Sequence, residues 1–194
     1  MKIGRLICIV VLLGLARPAF AQSATDEPTR FEHVNRDKEA VKQLYLKTYL
    51  PARDFAEGWK DLGKCDPGSL STATLKARTA EINYFRKMAG LHAVTLDAEL
   101  NKKAQAAAFL MLQNGTLNHN PPKTWKCYTE LAAAGAGSSN LGYGQGLLTY
   151  MEDYGGSNRD CGHRMWLLRS RASAFGYGGT NSTTAVCVFG ATSD

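Results

Sequence analysis

Residues 69–90 read SLSTATLKARTAEINYFRKMAG, a stretch with a clear helical pattern. Ser69 or Ser71 can cap the first turn, and Gly90 can end the last one. Between these limits, the side chains expected to face a core recur every three or four residues, as on one face of a helix: Leu75, Thr79, Ile82, Phe85 and Met88 or Ala89. The stretch therefore predicts an amphipathic helix that packs one face against the rest of the chain.

A second helix is predicted directly after it. Asp97 can cap this helix, and the Asn114-Gly115 pair can end it. One face is rich in alanine, which allows a close approach to a sheet or to another helix: Leu100, Ala104, Ala107, Ala108 and Met111.

Composition changes after Leu131, where glycine becomes frequent and lysine disappears. Such a composition is typical of loops and short strands. The elements predicted there are a helix at 147–154, strands at 174–179 and 184–189, and a turn at 178–181 between the strands. Because helices precede strands instead of alternating with them, the order favours an α+β sandwich over a βαβ fold.

The chain before residue 69 has another character. Residues 22–36 are polar and aperiodic, residues 37–49 have helical spacing, and the Asp66-Pro67-Gly68 turn follows. We therefore divide the chain into three parts: a leader at 1–21, an N-terminal helical extension at 22–69 and a main domain at 70–194.

The leader predicts a secretory signal peptide. Two basic residues precede ten mostly apolar residues at 6–15, which are too few to span a hydrocarbon core of about 30 Å. Ala19-Phe20-Ala21 is typical of a cleavage site, and the Arg17-Pro18 interruption disfavours the alternative of an uncleaved anchor. We expect cleavage after Ala21, a secreted or periplasmic protein, and no transmembrane segment in the mature chain.

Charge and composition exclude several classes of protein. The 194-residue chain has a net charge of +6, and removing the leader with its three basic residues leaves +3. These charges form no basic cluster interleaved with aromatic residues, so a nucleic-acid partner is not expected. Hydrophobic residues make up 44% of the chain and charged residues 21%, which is typical of a folded domain and not of a disordered one. We expect a monomer.

Four cysteines remain once Cys8 leaves with the leader. An even number of cysteines in an exported chain indicates disulfides. Three pairings are possible and the sequence does not choose among them; our working prediction joins Cys65 to Cys127 and Cys161 to Cys187. The alternative roles, a reactive thiol or zinc ligation, are disfavoured because the chain has no CxxC pair.

Two of the four histidines lie in loop-like segments of small and polar residues. His119 lies in LNHNPP at 117–122, and His163 lies in DCGHRMW at 160–166. Polar loop residues held by rigid neighbours often form sites, so both histidines are candidates. The alternative is that each is simply exposed.

Short segments in a fixed order suggest a family. No segment is specific alone, but their order and spacing are: INYFR at 82–86, AGL at 89–91, LD at 96–97, NH at 118–119, SNL at 139–141, YM at 150–151, CGHR at 161–164 and FGYG at 175–178. Together they resemble the CAP superfamily (SCP domain) of cysteine-rich secretory proteins, insect venom antigens and plant pathogenesis-related proteins. The His163-Arg164 pair is similar to the bacterial branch.

The resemblance implies a three-layer α-β-α sandwich with a small antiparallel sheet and a cleft where two histidines and two acidic residues meet. Its histidines correspond to His119 and His163. The first acidic position falls on Ser139, which departs from the family pattern, and the second falls on Asp153 or, one residue off, Glu152. Asn140 and Arg164 belong to the same segments and are assigned to the cleft. Asn83 and Arg86, which point the same way on the first helix, are assigned structural support.

The same resemblance bears on a metal. His119, His163 and Asp153 would be the minimum set for an open zinc site. Because Ser139 replaces a carboxylate, we expect zinc to bind weakly or not at all. No other cofactor is implied.

Three functions remain open. The first is a non-enzymatic extracellular or envelope binding protein whose cleft takes a small apolar ligand, glycan or protein, since family members resemble this in binding lipids, sterols or protein partners. The second is a hydrolase, either metal-assisted or with Ser139 as nucleophile, a histidine as base and Asp153 as orienting acid. Ser139 lies in no GxSxG elbow, and its surroundings also read as a turn, which favours binding over catalysis. The third is that the cleft is vestigial.

Overall fold

Helices cover both faces of a four-stranded sheet. The structure is a computed structural model that describes residues 37–156 and 159–189. The predicted signal peptide lies outside these residues. The elements are α1 (Lys38–Leu44), a π-helical turn (Tyr45–Tyr49), α2 (Leu50–Arg53), α3 (Thr72–Met88), β1 (Thr95–Leu96), α4 (Ala98–Asn114), α5 (Glu130–Gly137), β2 (Ser139–Tyr143), α6 (Leu148–Glu152), α7 (Gly162–Leu167), β3 (Ala174–Gly179) and β4 (Thr183–Cys187).

The two long helices begin and end where their caps predict. At the start of α3 the side chain of Ser71 accepts a hydrogen bond from the backbone of Thr74 at 3.0 Å. At the start of α4 the side chain of Asp97 accepts from two backbone N–H groups. Gly115 ends α4 with a φ of 63°, a left-handed conformation that glycine adopts without strain.

The sheet has the order β1-β3-β4-β2. β2, β3 and β4 are antiparallel, and the short β1 adds in parallel to β3. β2 is therefore an edge strand. The turn predicted at 178–181 begins two residues later, because Gly178 and Gly179 belong to β3.

One face of the sheet packs against the alanine-rich face of α4. The Cα atoms of Gly176 and Gly178 lie so close to this helix that an added Cβ would stand 2.2 Å from the backbone of Leu100 and Gln105, respectively. Small residues on both sides therefore bring α4 directly onto β3. This face of the sheet, α4 and α5 together form the first core.

The opposite face packs against α3, α6 and α7 and forms the second core. Phe175, Tyr177 and Val186 point to this side from the sheet, and Ile82 meets them from α3. Two cores on opposite faces of one sheet make three layers. The predicted α+β class is confirmed.

Asn83 and Arg86 connect α3 to distant backbone. The Asn83 side chain donates to the carbonyl of Val94 and accepts from its N–H, both at 2.8 Å. The buried Arg86 donates to the carbonyls of His92 and Leu167, also at 2.8 Å. These bonds hold the end of α3 to the segment before β1 and to the end of α7.

A buried charge cluster joins the N-terminal segment to the main sandwich. The Arg78 guanidinium lies 2.5 Å from Glu81 and 3.3 Å from Glu57, and all three side chains are fully buried. Arg78 also donates to the carbonyl of Ala52 at 3.0 Å, and Glu57 accepts from the hydroxyl of Tyr177. Burial raises the pKa of Glu81, and the charge of Arg78 opposes that rise.

A disulfide closes the loop between Cys65 and Cys127, as predicted. Its two ends are 62 positions apart in the sequence, and it stabilises the fold by about 4 kcal/mol in the chain-entropy model. The second predicted pair is wrong, since Cys161 and Cys187 are both free. Cys187 is buried in the core between the sheet and α4, whereas Cys161 begins α7 on the other side of the sheet.

Candidate functional site

A cleft runs along the outer side of the edge strand β2. It consists of two hollows of about 360 and 540 Å³, and His119 and His163 line both. The first hollow is lined by His119, Gly137, Ser139, Asn140, Asp160, Gly162, His163, Trp166, Val188 and Phe189. The second is lined by Leu117, His119, Leu141, Gly142, Tyr143, Thr149, Tyr150, Tyr154 and His163. The structure thus brings the two predicted histidines to one site.

His119 enters the cleft from the loop between α4 and α5. Its Nδ1 lies 2.9 Å from the carbonyl oxygen of Ala136 in α5. Because a carbonyl only accepts, this contact assigns the ring proton to Nδ1. In the neutral ring Nε2 then carries a free lone pair.

His163 enters from the opposite side, on the first turn of α7. Its Nδ1 lies 2.8 Å from Oδ1 of Asp153, whose side chain is fully buried. Asp153 itself has a φ of 53°, and its other oxygen accepts from the backbone of Arg164 at 3.3 Å. The carboxylate therefore fixes the orientation of the ring and leaves Nε2 of His163 as an acceptor in its neutral form. Tyr150 packs edge-on against this ring, with the centroids 5.5 Å apart.

Two other predicted residues lie behind the cleft. The Arg164 side chain donates to the carbonyl of Met151 at 2.6 Å and to that of Glu152 at 3.0 Å. These bonds clamp the end of α6 to α7. Among the described residues, neither Arg164 nor Glu152 belongs to the wall of either hollow. Of the two acidic alternatives, Asp153 is the one that meets a histidine.

Ser139 and Asn140 form the start of β2. The Asn140 side chain donates to the carbonyl of His163 at 2.9 Å, which ties the strand to α7. Ser139 is only 4% exposed, yet its hydroxyl has no hydrogen-bond partner within the described ranges. A buried hydroxyl without a partner carries a desolvation cost and is uncommon in native structures.

The sequence does not predict the aromatic side chains that line the cleft. Trp166 and Phe189 pack edge-to-face with their centroids 4.6 Å apart, and both line the first hollow. Tyr143 and Tyr154 are exposed and line the second. The spacing of Trp166 three residues after His163 on a helix was the available signal for one of them. The others depend on the tertiary fold.

The donor set does not make a three-ligand metal site. Across residues 37–156 and 159–189, no group of three or more histidine, cysteine, aspartate or glutamate side chains is placed to hold a metal ion. Asp153 bonds to Nδ1 of His163, the side of the ring away from the free Nε2. The two Nε2 atoms would supply two ligands, whereas zinc takes three or four from a protein. We therefore derive no chemistry through zinc.

The protein is thus a three-layer α+β sandwich, and its cleft has two histidines at the edge of the sheet. The model of the cysteine-rich secretory protein family, CAP, matches residues 79–189, more than half of the chain. The chain belongs to the CAP family.

Comparison with solved structures finds a similar chain, an extracellular protein containing an SCP domain from Bacillus anthracis str. Ames. The two are 16% identical, with a TM-score of 0.43. The match covers 61% of this chain and 43% of that one, so this chain spans less than half the length of that protein. A search of curated proteins finds no significant match. Within the described residues, no helix has the length and apolar character needed to cross a membrane.

Proposed function

We propose that this CAP-family protein is an exported, non-enzymatic binding protein that holds a ligand or protein partner in the cleft between His119 and His163. One observation carries the proposal: three polar atoms at the cleft have no hydrogen-bond partner among residues 37–156 and 159–189. They are Nε2 of each histidine, left free by the bonds to Nδ1, and Oγ of the buried Ser139. Unpaired polar groups at a concave surface are typical of a ligand site.

Export is supported by the signal-peptide pattern of residues 1–21 and by the Cys65–Cys127 disulfide, since disulfides persist in oxidising compartments. The expected compartment is the extracellular space or the bacterial envelope. The mature protein then begins at Gln22, which the intact mass of the exported protein tests.

The lining favours a polar ligand over an apolar one. His119, Ser139, Asn140, Asp160 and His163 all contribute to the first hollow. A purely apolar ligand would bury their polar atoms without satisfying them, which costs free energy. Glycans and protein segments remain from the three ligand classes predicted from the resemblance.

Hydrolysis is the second candidate, because the Asp153–His163 pair resembles the orienting acid and base of a catalytic triad. A nucleophile in such a triad bonds to its base. The Ser139 hydroxyl makes no such bond in the described residues. The absence of this bond favours a binding protein over a hydrolase.

One comparison tests the proposal. The full chain and the double variant His119→Ala/His163→Ala are each presented to a glycan array and to a displayed random-peptide library, and organic extracts of both proteins are analysed by mass spectrometry. We expect retention of at least one ligand class by the wild type and its loss in the double variant. Equal retention by both proteins in every assay contradicts the proposal. Turnover of a peptide or ester library that vanishes in the double variant would favour the hydrolase.

A further inference from the structure

The register of β2 decides which of its backbone groups face the cleft. At one end of the strand the carbonyl of Ser138 accepts from Val188, and at the other end the N–H of Gly144 donates to Ser182. In an antiparallel pair, residues alternate between bonding to the partner strand and pointing away from it. Because Ser138 and Gly144 bond to the β4 side, Asn140 and Gly142 between them do so too. The N–H and C=O groups of the alternate residues therefore point away from the sheet: Ser139, Leu141 and Tyr143.

These outward groups have no partner in the described part of the chain. Ser139 and Leu141 are each only 4% exposed, so their peptide groups lie at a buried edge. More than nine in ten buried peptide groups in native proteins are paired. The hydroxyl of Ser139 also has no partner among the described residues, and Ser139 lines the cleft, which is an independent observation that points to a ligand.

The cleft follows this edge along its length. Ser139 and Asn140 line the first hollow, and Leu141 and Tyr143 line the second. Both hollows share the two histidines, so the edge lies between His119 on the α5 side and His163 on the α7 side.

We propose that the cleft binds an extended peptide segment of a partner protein, which pairs with β2 as a fifth strand of the sheet. This inference rests on the proposed function and names its ligand. Along β2 one unpaired N–H and one unpaired C=O recur every second residue, or about every 6.6 Å. A peptide backbone presents the complementary groups at the same repeat. A lipid tail offers no hydrogen bonds, and a glycan has hydroxyls without this two-residue repeat.

The two histidines and Asp160 suggest which side chains the peptide carries. In their neutral forms both rings present an acceptor at Nε2, and Asp160 adds a carboxylate to the same wall. Side chains of a strand alternate between its two faces, so successive residues of the peptide would meet His119 and His163 in turn. We expect selected peptides to carry hydrogen-bond donors, such as hydroxyl, amide or ammonium groups, at these alternate positions.

Amide hydrogen exchange tests the pairing directly. A displayed random dodecapeptide library is selected on the full chain, and the enriched peptide is synthesised and added to the ¹⁵N-labelled protein. We expect exchange at Ser139, Leu141 and Tyr143 to slow at least tenfold, and exchange at Asn140 and Gly142, which already bond to β4, to change less than twofold. Slowing without this alternation, or no slowing in β2, overturns the inference.

A pair of variants provides a second measurement. Leu141→Pro removes the outward N–H while leaving the ladder to β4, and Leu141→Val shortens the side chain but keeps the N–H. We expect Leu141→Pro to weaken peptide binding at least tenfold more than Leu141→Val does; equal weakening contradicts strand pairing. If Leu141→Pro does not fold, N-methylation of the peptide at each position replaces it. Losses at alternate positions support pairing, and the same affinity at all positions overturns it.

The outcomes separate this inference from the function on which it rests. Glycan retention that depends on His119 and His163, without any enriched peptide, overturns the peptide inference and leaves a binding cleft. Failure of every ligand class overturns both.

Discussion

Asp153 and His163 form a hydrogen-bonded pair at the edge of the sheet, with 2.8 Å between Oδ1 of the carboxylate and Nδ1 of the ring. The aspartate is fully buried, whereas 24% of the histidine side chain is exposed. The pair therefore anchors Nδ1 of the imidazole in the protein and leaves Nε2 on the side of the cleft. Catalytic bases and metal ligands are often oriented in the same way, and under the proposed function the pair holds Nε2 of His163 as an acceptor for the ligand.

The tautomer of His163 is the first prediction. In Asp153→Asn the amide can turn its NH₂ toward Nδ1, which favours the tautomer with the proton on Nε2. Long-range ¹H–¹⁵N spectra at pH 8 should show Nδ1–H in the wild type and a shift toward Nε2–H in the variant. Glu152→Gln is the matched control, because Glu152 is the neighbouring acid, lines neither hollow and bonds to Arg164 through its backbone carbonyl. A shift in the control instead would assign the orienting role to Glu152.

Removing the disulfide should cost about 4 kcal/mol of unfolding free energy, because the bond closes a loop of 62 residues. The measurement is denaturant unfolding of Cys65→Ser/Cys127→Ser under non-reducing conditions. Cys161→Ser is the control and should change stability by less than about 1 kcal/mol, because this partly exposed thiol is free. A comparable loss in Cys161→Ser would mean that this thiol is bridged.

Gly178→Ala tests the contact between β3 and α4. The new Cβ would lie 2.2 Å from the backbone of Gln105, so the helix must move away from the sheet. We expect a loss of about 2 kcal/mol or more in unfolding free energy, as for other overpacked cores. Gly156→Ala meets no atom within 4 Å and should change stability by less than about 0.5 kcal/mol. Equal stability of the two variants would contradict the close packing of α4.

The buried tyrosines predict an alkaline transition. Burial raises the pKa of both Tyr150 and Tyr177, and for Tyr177 the nearby Glu57 raises it further. Each group therefore keeps its proton in the folded state at a pH where the unfolded chain releases it. The stability that depends on these protons is complete below about pH 10 and is lost as pH rises above it.

Absorbance at 295 nm measures this effect. We expect two of the eight tyrosines to ionise only together with the loss of native circular dichroism. Tyr150→Phe should reduce the late step to one tyrosine. Ionisation of all eight in the native protein near pH 10 would contradict the burial of Tyr150 and Tyr177.

The sequence predicts those parts of the fold whose signals are local. Ser71 and Asp97 cap helices because their side chains reach backbone groups only two or three residues away. The glycine at 115 ends α4 for the same reason. The order of the family segments, and not any spacing between the two, predicts that His119 and His163 form a pair.

The rest depends on strand order and on layers, which local patterns do not encode. Cys161 and Cys187 are only 26 positions apart, yet they lie on different sides of the sheet and remain free. The bonds of Arg78 to Glu57 and Ala52 join segments more than 20 residues apart. The edge position of β2, which decides that its outward peptide groups meet the cleft, follows from the order β1-β3-β4-β2.

A crystal structure of the full chain would locate the ligand that the comparison of wild type and double histidine variant identifies. We expect the ligand to lie between His119 and His163, with a polar group on at least one Nε2 atom. A ligand bound elsewhere, for example in the groove that Val41 and Leu44 of α1 line, would contradict it.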